Sequence, residues 1–261
     1  MYGIERKTEI IKALEKNGKV SVISLAEQFG TSKETIRRDL KALESRGVLT
    51  RTHGGAVSNV VQLSSGTEII QEYPVDVRGI RNLKEKQRIC REAALKVSDQ
   101  DILFVDNSST CLSLLQYLPE DLHVTIITNS IKFLTESGKY HRDNVDFYCM
   151  GGMYNRKNLS TYDTFPAPAG TGFYPDKCFI SCNGISNERL ITDGSILEVR
   201  TKKQMMDISA EVYLLADHTK FGMEGQYFLG DGSDIGHIIT DAPVETGGFP
   251  FLDHAEIIVA E

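Results

Sequence analysis

The stretch SKETIRRDL, residues 32–40, decides the fold of the first part of the chain. Ser32 is a favourable N-cap and Glu34 falls in the first turn after it, so the spacing predicts a helix over Lys33–Arg46. Apolar residues recur along one side of this helix at i, i+4 and i+7, at Ile36, Leu40 and Leu43. A helix of this kind packs by its apolar side and leaves the Lys, Thr and Arg side chains on the other.

Two further helical patterns precede this helix. The first spans Ile4 to Leu14 and ends at Asn17-Gly18, and the second is a short pattern closed by Gly30. Lys19–Ser21, between them, is expected to be extended. After the third helix, Gly54-Gly55 separates two short extended runs and predicts a hairpin turn. Three helices followed by a hairpin predict a winged helix-turn-helix, in which the hairpin is the wing.

The polar side of the third helix suits entry into the major groove of DNA. Arginine can hold guanine through two hydrogen bonds, worth roughly 1–3 kcal/mol of discrimination, while Lys and Thr contact phosphates. The wing would lie beside the backbone of the duplex. The candidate DNA-binding residues are Ser32, Lys33, Thr35, Arg37, Arg38, Lys41, Arg51 and His53. The alternative for this region is a generic three-helix bundle with a solvated basic face.

The charge is divided unevenly along the chain. Residues 1–57 contain eleven Lys and Arg against seven Asp and Glu, a net of +4, whereas the remaining residues contain eighteen against twenty-nine, a net of −11. A basic head on an acidic body fits a polyanion-binding module at residues 1–57.

Short apolar runs, separated by helical or turn-rich segments, fill the chain from residue 101 onward. These runs are Ile102–Val105, Val124–Ile127, Val145–Met150, Cys178–Cys182, Val212–Ala216, Ile235–Ile239 and Ile257–Val259. Buried runs that alternate with crossover segments predict a mostly parallel sheet covered by helices, so the fold class of this part is α/β. A helix is expected before the first run, over Leu83–Val97.

Ligands of such sheets bind beyond the carboxyl ends of the strands. A Ser/Thr-rich turn there offers hydroxyls and backbone N–H groups to an anion, although helix capping alone also explains each of these turns. Lys220 could neutralise a phosphate or pair with Asp217. The candidate effector-binding residues are Asp106, Ser108, Ser109, Thr110, Asn129, Ser130, Gly151, Gly152, Asp217 and Lys220. Glu198 and Lys202, four residues apart on a predicted helix, are expected to form a surface pair.

Composition indicates the domain boundaries and the cellular location. We expect the winged helix-turn-helix over 3–58, a Ser-, Gly- and Gln-rich linker over 59–74 and the α/β effector domain over 75–261. No run approaches the roughly 18 apolar residues of a membrane span, and no secretory signal is seen, so a cytoplasmic location is expected. The five cysteines are expected to be buried free thiols, and the chain to use no metal or other cofactor.

Both parts of the sequence resemble the DeoR family of bacterial regulators. The string over 32–40, with His53-Gly54-Gly55-Ala56 after it, is similar to the family's DNA-binding segment, and pieces from Asp106–Thr110 to Ile238–Asp241 are similar to its effector domain. The resemblance implies double-stranded operator DNA as a partner. It also implies a sensor domain related in fold to ribose-5-phosphate isomerase that responds to sugar phosphates or similar intermediates. Ser108-Ser109-Thr110 departs from the family's usual Gly-Thr-Thr, which limits how closely the backbone can wrap a phosphate.

Three functions are open at this point. The first is a regulator, most simply a repressor of carbohydrate metabolism genes, whose operator binding changes with a phosphorylated effector. It would act as a homodimer or tetramer, because paired recognition helices must match half-sites about 34–36 Å apart. The alternative is a sugar-phosphate isomerase with an added DNA-binding head, although Asn183–Ser186, matched to the acidic loop of such isomerases, contains no acid. The third is an architectural DNA-binding protein whose second domain only oligomerises.

Overall fold

The computed structural model describes residues 3–45, 48–58, 75–140, 142–162, 172–244 and 248–261. These residues form two compact units, one within 1–82 and one within 83–261. Residues 59–74, expected to be a linker, lie outside the described residues, and so does Arg46, the expected end of the third helix. No described helix combines the length and the apolar character that crossing a membrane requires.

The first unit contains the three predicted helices. They are α1 (Gly3–Asn17), α2 (Val22–Gln28) and α3 (Lys33–Glu44). Gly18 and Gly30 follow the first two with φ of 69° and 58°, in the left-handed region that glycine adopts without strain. Apolar residues of all three helices, among them Ile10, Leu25 and Leu40, are buried in one core, whereas Ile23 of α2 is 52% exposed. The predicted three-helix arrangement is confirmed.

The wing is part of a three-stranded antiparallel sheet. Its strands are β1 (Lys19–Ser21), β2 (Leu49–Thr52) and β3 (Gly55–Ser58), in the order β1-β3-β2. Thr52 pairs with Gly55, so the turn is His53-Gly54 and not the expected Gly54-Gly55. Gly55 is needed for another reason: a Cβ on it would lie 1.9 Å from the carbonyl oxygen of Val20. The glycine therefore permits the close approach of β1.

A short helix, α4 (Val75–Arg78), belongs to the first unit. Val77 is fully buried in the same core as the three helices, and Thr8 on α1 donates a hydrogen bond to the carbonyl oxygen of Ile80 at 3.1 Å. The structural division between Asn82 and Leu83 thus falls eight residues beyond the boundary expected at 74–75.

The second unit is built on a seven-stranded sheet in which every neighbouring pair is parallel. Its strands are β4 (Ile102–Val105), β5 (Val124–Thr128), β6 (Val145–Cys149), β9 (Lys177–Ile180), β12 (Glu211–Leu215), β14 (His237–Thr240) and β15 (Glu256–Val259). All seven runs predicted from the sequence are strands of this one sheet. The expected α/β fold class is confirmed.

Helices cover both faces of this sheet. They are α5 (Leu83–Ala94), α6 (Leu114–Tyr117), α7 (Ile131–Ser137) and α8 (Ile196–Ile208). Along β4, Leu103 and Val105 join a core with residues of α5, α6 and α7, whereas Phe104 joins a second core with residues of α8. This alternation is the two-residue period of a strand that is buried on both faces.

Two smaller sheets accompany the main one. A hairpin pairs β7 (Met153–Asn155) with β8 (Ser160–Tyr162), neither of which is among the strands predicted from the sequence. An antiparallel sheet joins β10 (Gly184–Ser186), β11 (Leu190–Asp193) and β13 (Tyr227–Gly230). Most of the expected loop at 183–186 is therefore a strand. Short 3-10 helices lie at Cys111–Ser113, His218–Lys220 and Pro250–Leu252.

The strand order creates one reversal point. The order is β15-β14-β12-β9-β4-β5-β6, so the chain moves outward from β4 in one direction and then returns to place β9 on its other side. A crevice at the carboxyl ends of the strands forms where the order reverses, and this is where ligands bind in open α/β sheets. Here that point lies between β4 and β9.

The cysteines depart from expectation at one position. Four of them are buried free thiols, but Cys149 is exposed at the end of β6. In the described sheet β6 is an edge strand, which explains why a side chain there can face solvent.

Candidate nucleic-acid interface and sensor site

The buried side of α3 fixes the helix to the first unit. Ser32 caps it, accepting a hydrogen bond from the backbone N–H of Thr35 at 3.1 Å. Asp39, which is 6% exposed, forms an ion pair with Arg6 of α1 at 2.5 Å between Nε and Oδ2. The helix is therefore held on its apolar side by packing and at Asp39 by charge.

The opposite side of α3 presents cations to solvent. Lys33, Arg37, Arg38 and Lys41 are exposed, Ser32 is exposed at the cap, and Thr35 is half-buried. Arg37 lies 3.5 Å from the carboxylate of Glu34, but both side chains are more than half exposed, and such pairs contribute little. This is the arrangement that entry of α3 into a major groove requires.

The wing is attached to the carboxyl end of α3. Arg51 and His53 are exposed, as expected. The Nε of Arg51 lies 2.6 Å from the Oε2 of Glu44, and its backbone N–H donates to Oε1 of the same carboxylate at 2.9 Å. These bonds lower the pKa of Glu44, the backbone bond most. Part of the Arg51 guanidinium is thus engaged within the protein, while His53 lies in the turn.

A buried lysine organises the carboxyl ends of β4 and β9. Lys202 of α8 donates to the carbonyl oxygen of Ser181 at 2.6 Å and forms ion pairs with Asp193 at 2.5 Å and Asp106 at 3.1 Å. Asp106 also accepts hydrogen bonds from the backbone N–H groups of Ser181 and Ser108. The lysine therefore binds both sides of the reversal point.

The electrostatics of this cluster keep its members charged. Burial by itself would raise the pKa of Asp106, but Lys202 and the hydrogen bonds from Ser108 and Ser181 outweigh it and lower the pKa. Burial would lower the pKa of Lys202, but Asp193, Asp106 and Glu198 outweigh it and raise the pKa. The expectation that Glu198 and Lys202 form a surface pair is wrong: both are 3% exposed. The spacing of the two residues is typical of a solvent-exposed pair, but the side of α8 that carries them is buried in the second unit.

Asparagine side chains surround Glu198 beside this cluster. The carboxylate of Glu198 accepts from the Nδ2 atoms of Asn107 at 2.8 Å and Asn158 at 2.6 Å. Asn129, after β5, places its Nδ2 3.5 Å from Oδ1 of Asn107 and donates to the carbonyl oxygen of Thr161 at 3.0 Å. The loops after β4 and β5 and the β7–β8 hairpin thus meet through amides.

A second group of charges lies at the ends of β4 and β12. Lys86 of α5 is buried and donates to Oγ of Ser109 at 3.0 Å. Burial would raise the pKa of Asp217, but the charges of Lys220 and Lys86 and the hydrogen bonds from Thr219 outweigh it and lower the pKa. The charges of two lysines therefore act on one carboxylate, and one of these lysines also donates to a serine hydroxyl.

The structure brings most of the predicted effector residues to one edge of the sheet. Those that are buried there are Asp106, Ser108, Ser109, Thr110, Asn129, Ser130 and Asp217, and Lys220 is half-buried. Gly151 and Gly152 follow the edge strand β6 and are exposed, so they do not belong to this buried group. Sequence reasoning missed Lys86, Asn107, Asn158, Glu198 and Lys202. Lys86 and Lys202 could have been found from the sequence, because each is a charged residue at a position of its helix that faces the core.

A cavity of about 410 Å³ opens elsewhere, at the amino ends of β12 and β14. Glu211 and His237, the first residues of these strands, line it with Asp207, Ser233 and others. It lies at the opposite end of the strands from the buried polar residues. Within the described residues, no group of three or more His, Cys, Asp or Glu side chains is arranged to hold a metal ion.

A winged helix-turn-helix followed by an α/β unit with a polar site at its strand ends defines a two-domain DNA-binding regulator. Models of known families match both parts: the DeoR-like helix-turn-helix domain over residues 6–62 and the DeoR C terminal sensor domain over 81–242. The chain belongs to the DeoR family of transcriptional regulators.

Similar proteins match along nearly the whole chain. The "uncharacterized HTH-type transcriptional regulator YulB" of Bacillus subtilis is 30% identical over 99% of this chain and 96% of its own length. An L-fucose operon activator of Haemophilus influenzae is 32% identical over 89% of each chain. The transcriptional repressor AccR of Agrobacterium fabrum is 28% identical over 93% of this chain and 91% of its own. These relatives are regulators and not enzymes.

Solved structures give a more distant likeness. Ribose 5-phosphate isomerase A from Methanocaldococcus jannaschii aligns with 54% of this chain and 55% of its own, with a TM-score of 0.39 and 17% identity.

Proposed function

We propose that the chain is a repressor of carbohydrate metabolism genes whose operator binding weakens when a phosphorylated sugar or related metabolite occupies the sensor unit. The observation that carries the proposal is the hydrogen bond from the buried Lys86 to Ser109, together with the position of Lys220 in the turn after β12 at the same carboxyl edge of the sheet. Cations and hydroxyl donors at this edge are what a phosphate requires.

The charge distribution favours this part of the edge for the phosphate. The charge of Lys202 is matched by Asp106 and Asp193, which both lie within 3.1 Å of its ammonium group. Lys86 donates to the hydroxyl of Ser109, and the charges of Lys86 and Lys220 both lower the pKa of Asp217. Two cations therefore act on this carboxylate, and an anionic ligand at this part of the edge can pair with them.

DNA contact is assigned to the exposed side of α3 and to the wing. In this proposal Arg37 and Arg38 contact base edges, and the other candidates, Ser32, Lys33, Thr35, Lys41, Arg51 and His53, hold the phosphate backbone. Two copies of the chain, or four, place recognition helices on paired half-sites. The effector changes how the copies are arranged, with a coupling free energy of about 1–3 kcal/mol.

The names of the relatives support a role in sugar metabolism, because one of them is an L-fucose operon activator. Since another is a transcriptional repressor, the sign of regulation needs its own test. A reporter gene behind the operator should be expressed less when the chain is present. Higher expression in the presence of the chain would contradict repression.

The direct test measures operator affinity by fluorescence anisotropy, using operator fragments recovered from DNA bound by the full chain. Glycerol 3-phosphate, ribose 5-phosphate and fructose 1-phosphate are added in turn, with inorganic phosphate as a control. At least one sugar phosphate should weaken binding by roughly tenfold, as the coupling above implies. An operator affinity that no phosphorylated sugar changes, together with no binding of any of them in calorimetry, would contradict the sensor assignment.

A further inference from the structure

Asn129 carries a buried hydrogen-bond acceptor that the protein leaves without a partner. The residue follows β5 directly and is 2% exposed. Its Oδ1 is one of four buried side-chain atoms in the described residues that make no hydrogen bond. Because nearly all buried polar groups in native proteins are paired, such an atom beside a ligand site requires an explanation.

The orientation of this amide is fixed by its neighbours. The Nδ2 of Asn129 donates to the carbonyl oxygen of Thr161 at 3.0 Å, and the N–H of Thr161 donates to the carbonyl oxygen of Asn129 at 2.8 Å. Rotating the amide by half a turn would bring Oδ1 against the carbonyl oxygen of Thr161, where two acceptors would face each other. The free atom is therefore the oxygen.

A second chain of contacts requires the same orientation. The carboxylate of Glu198 can only accept, so Asn107, at 2.8 Å from it, must direct its Nδ2 toward Glu198. The Oδ1 of Asn107 then faces the Nδ2 of Asn129, at 3.5 Å. Glu198 thus sets the direction of both amides and leaves Oδ1 of Asn129 as the last acceptor of the series.

The position of Asn129 suits a small molecule that also reaches the lysines. Ser109, bonded to Lys86, follows β4, and Asn129 follows the adjacent β5. Neighbouring strands lie about 4.8 Å apart, which a sugar monophosphate spans easily. Oδ1 is shielded from bulk water, so a donor that reaches it gains a hydrogen bond in surroundings of low dielectric.

We propose that Oδ1 of Asn129 accepts a hydrogen bond from a hydroxyl group of the effector and so selects phosphorylated polyhydroxy compounds over inorganic phosphate and over deoxy analogues. This inference rests on the proposed function, because it concerns the non-phosphate end of the same ligand. A carboxylate or a second phosphate in this place would set acceptor against acceptor and is rejected.

The test compares Asn129→Leu, which removes the acceptor at similar size, with Asn144→Leu as a matched control. Asn144 precedes β6, at the other end of the strands, and its Nδ2 donates to the carbonyl oxygen of Leu122. For the wild type and both variants, calorimetry measures the Kd of inorganic phosphate, glycerol 3-phosphate, ribose 5-phosphate and fructose 1-phosphate. Deoxy analogues of the tightest binder are then measured with the wild type alone.

The quantity that decides is the ratio of the Kd for phosphate to the Kd for the tightest sugar phosphate. Asn129→Leu should lower this ratio by roughly tenfold and leave the Kd for phosphate unchanged, and Asn144→Leu should leave the ratio unchanged. In the wild type, one deoxy analogue should bind roughly tenfold more weakly, which keeps the test valid if Asn129→Leu does not fold.

An unchanged ratio in a folded Asn129→Leu, or equal binding of every deoxy analogue, would overturn the role of Asn129 while leaving the phosphate site in place. If the wild type binds neither phosphate nor any sugar phosphate, the proposed function fails first, and this inference fails with it.

Discussion

The ammonium group of Lys202 lies 3.1 Å from the carboxylate of Asp106, across the point where the strand order of the sheet reverses. Lys202 comes from α8 and Asp106 from the end of β4, so this pair joins a covering helix to the central strand. Both side chains are almost completely buried. The pair connects α8 to the strand ends, and buried contacts of this kind hold the polar groups of a site in place before a ligand binds.

The first prediction concerns this buried pair. Lys202→Met leaves Asp106 and Asp193 without their cation and should lower the free energy of unfolding of the sensor unit by about 3–5 kcal/mol. The matched control is Lys203→Met, because Lys203 is only half-buried and its ammonium lies over the ring of Phe228. Scanning calorimetry of the full chain measures both. Similar losses for the two variants would show that the buried pair has no special role.

The second prediction concerns the stability of the sensor unit at low pH. Since the pKa of Asp106 is lowered in the folded chain, its ionised form contributes stability above the unfolded pKa of about 3.9, and this contribution is lost as the pH falls through the folded value. Asp106→Asn should therefore flatten the decline of sensor-unit stability below about pH 4, by up to about 1.4 kcal/mol per pH unit. Unfolding is measured between pH 6 and 2. Parallel curves for the wild type and the variant would contradict the assignment.

The third prediction concerns the phosphate end of the site. Lys220→Ala removes one of the two cations near Asp217 and should weaken phosphate and sugar-phosphate binding by roughly tenfold, with operator affinity unchanged when no effector is present. Lys139→Ala, at an exposed position after α7, removes the same charge elsewhere and should change neither. Calorimetry and anisotropy supply the two readouts. If Lys220→Ala still responded fully to the effector, Lys220 would not bind the phosphate, and the phosphate site would have to lie elsewhere along the carboxyl edge of the sheet.

The fourth prediction concerns the wing. Gly55→Ala would place a Cβ 1.9 Å from the carbonyl oxygen of Val20. We therefore expect the free energy of unfolding of the first unit to fall by about 3 kcal/mol. Gly54→Ala, one residue earlier, meets nothing within 4 Å and should cost about 0.5 kcal/mol or less. The first unit's transition in calorimetry distinguishes them. Equal melting temperatures would show that β1 does not approach Gly55 as described.

Local pattern was enough to predict most of the elements. The spacing of Ile36, Leu40 and Leu43 located α3, and Ser32 located its start, because both signals act within a few residues. The seven strands were found because each is a short apolar run, and a strand buried on both faces gives that pattern. The turn of the wing was misplaced by one residue, since Gly55 serves a contact with Val20 that is distant in sequence.

The site was harder to predict because its charges come from separate elements. Glu198 and Lys202 fit a surface pair by spacing, and only the packing of α8 against the sheet shows that both are buried. Asn158 lies in the turn between β7 and β8, which no apolar run predicted, and its role depends on Glu198, forty residues away. Strand order, which sets the reversal point, is likewise a long-range property that periodicity does not contain.

The central claim is that α3 recognises DNA through its exposed arginines, and sequencing of genomic DNA fragments bound by the full chain tests it most directly. The wild type, Arg37→Ala, Arg38→Ala and the control Lys12→Ala, which removes an exposed charge from α1, are compared. The wild type and Lys12→Ala should enrich the same few sites containing paired half-sites, and each arginine variant should lose that enrichment while keeping its melting temperature. Enrichment of the same sites by folded Arg37→Ala and Arg38→Ala would contradict the account.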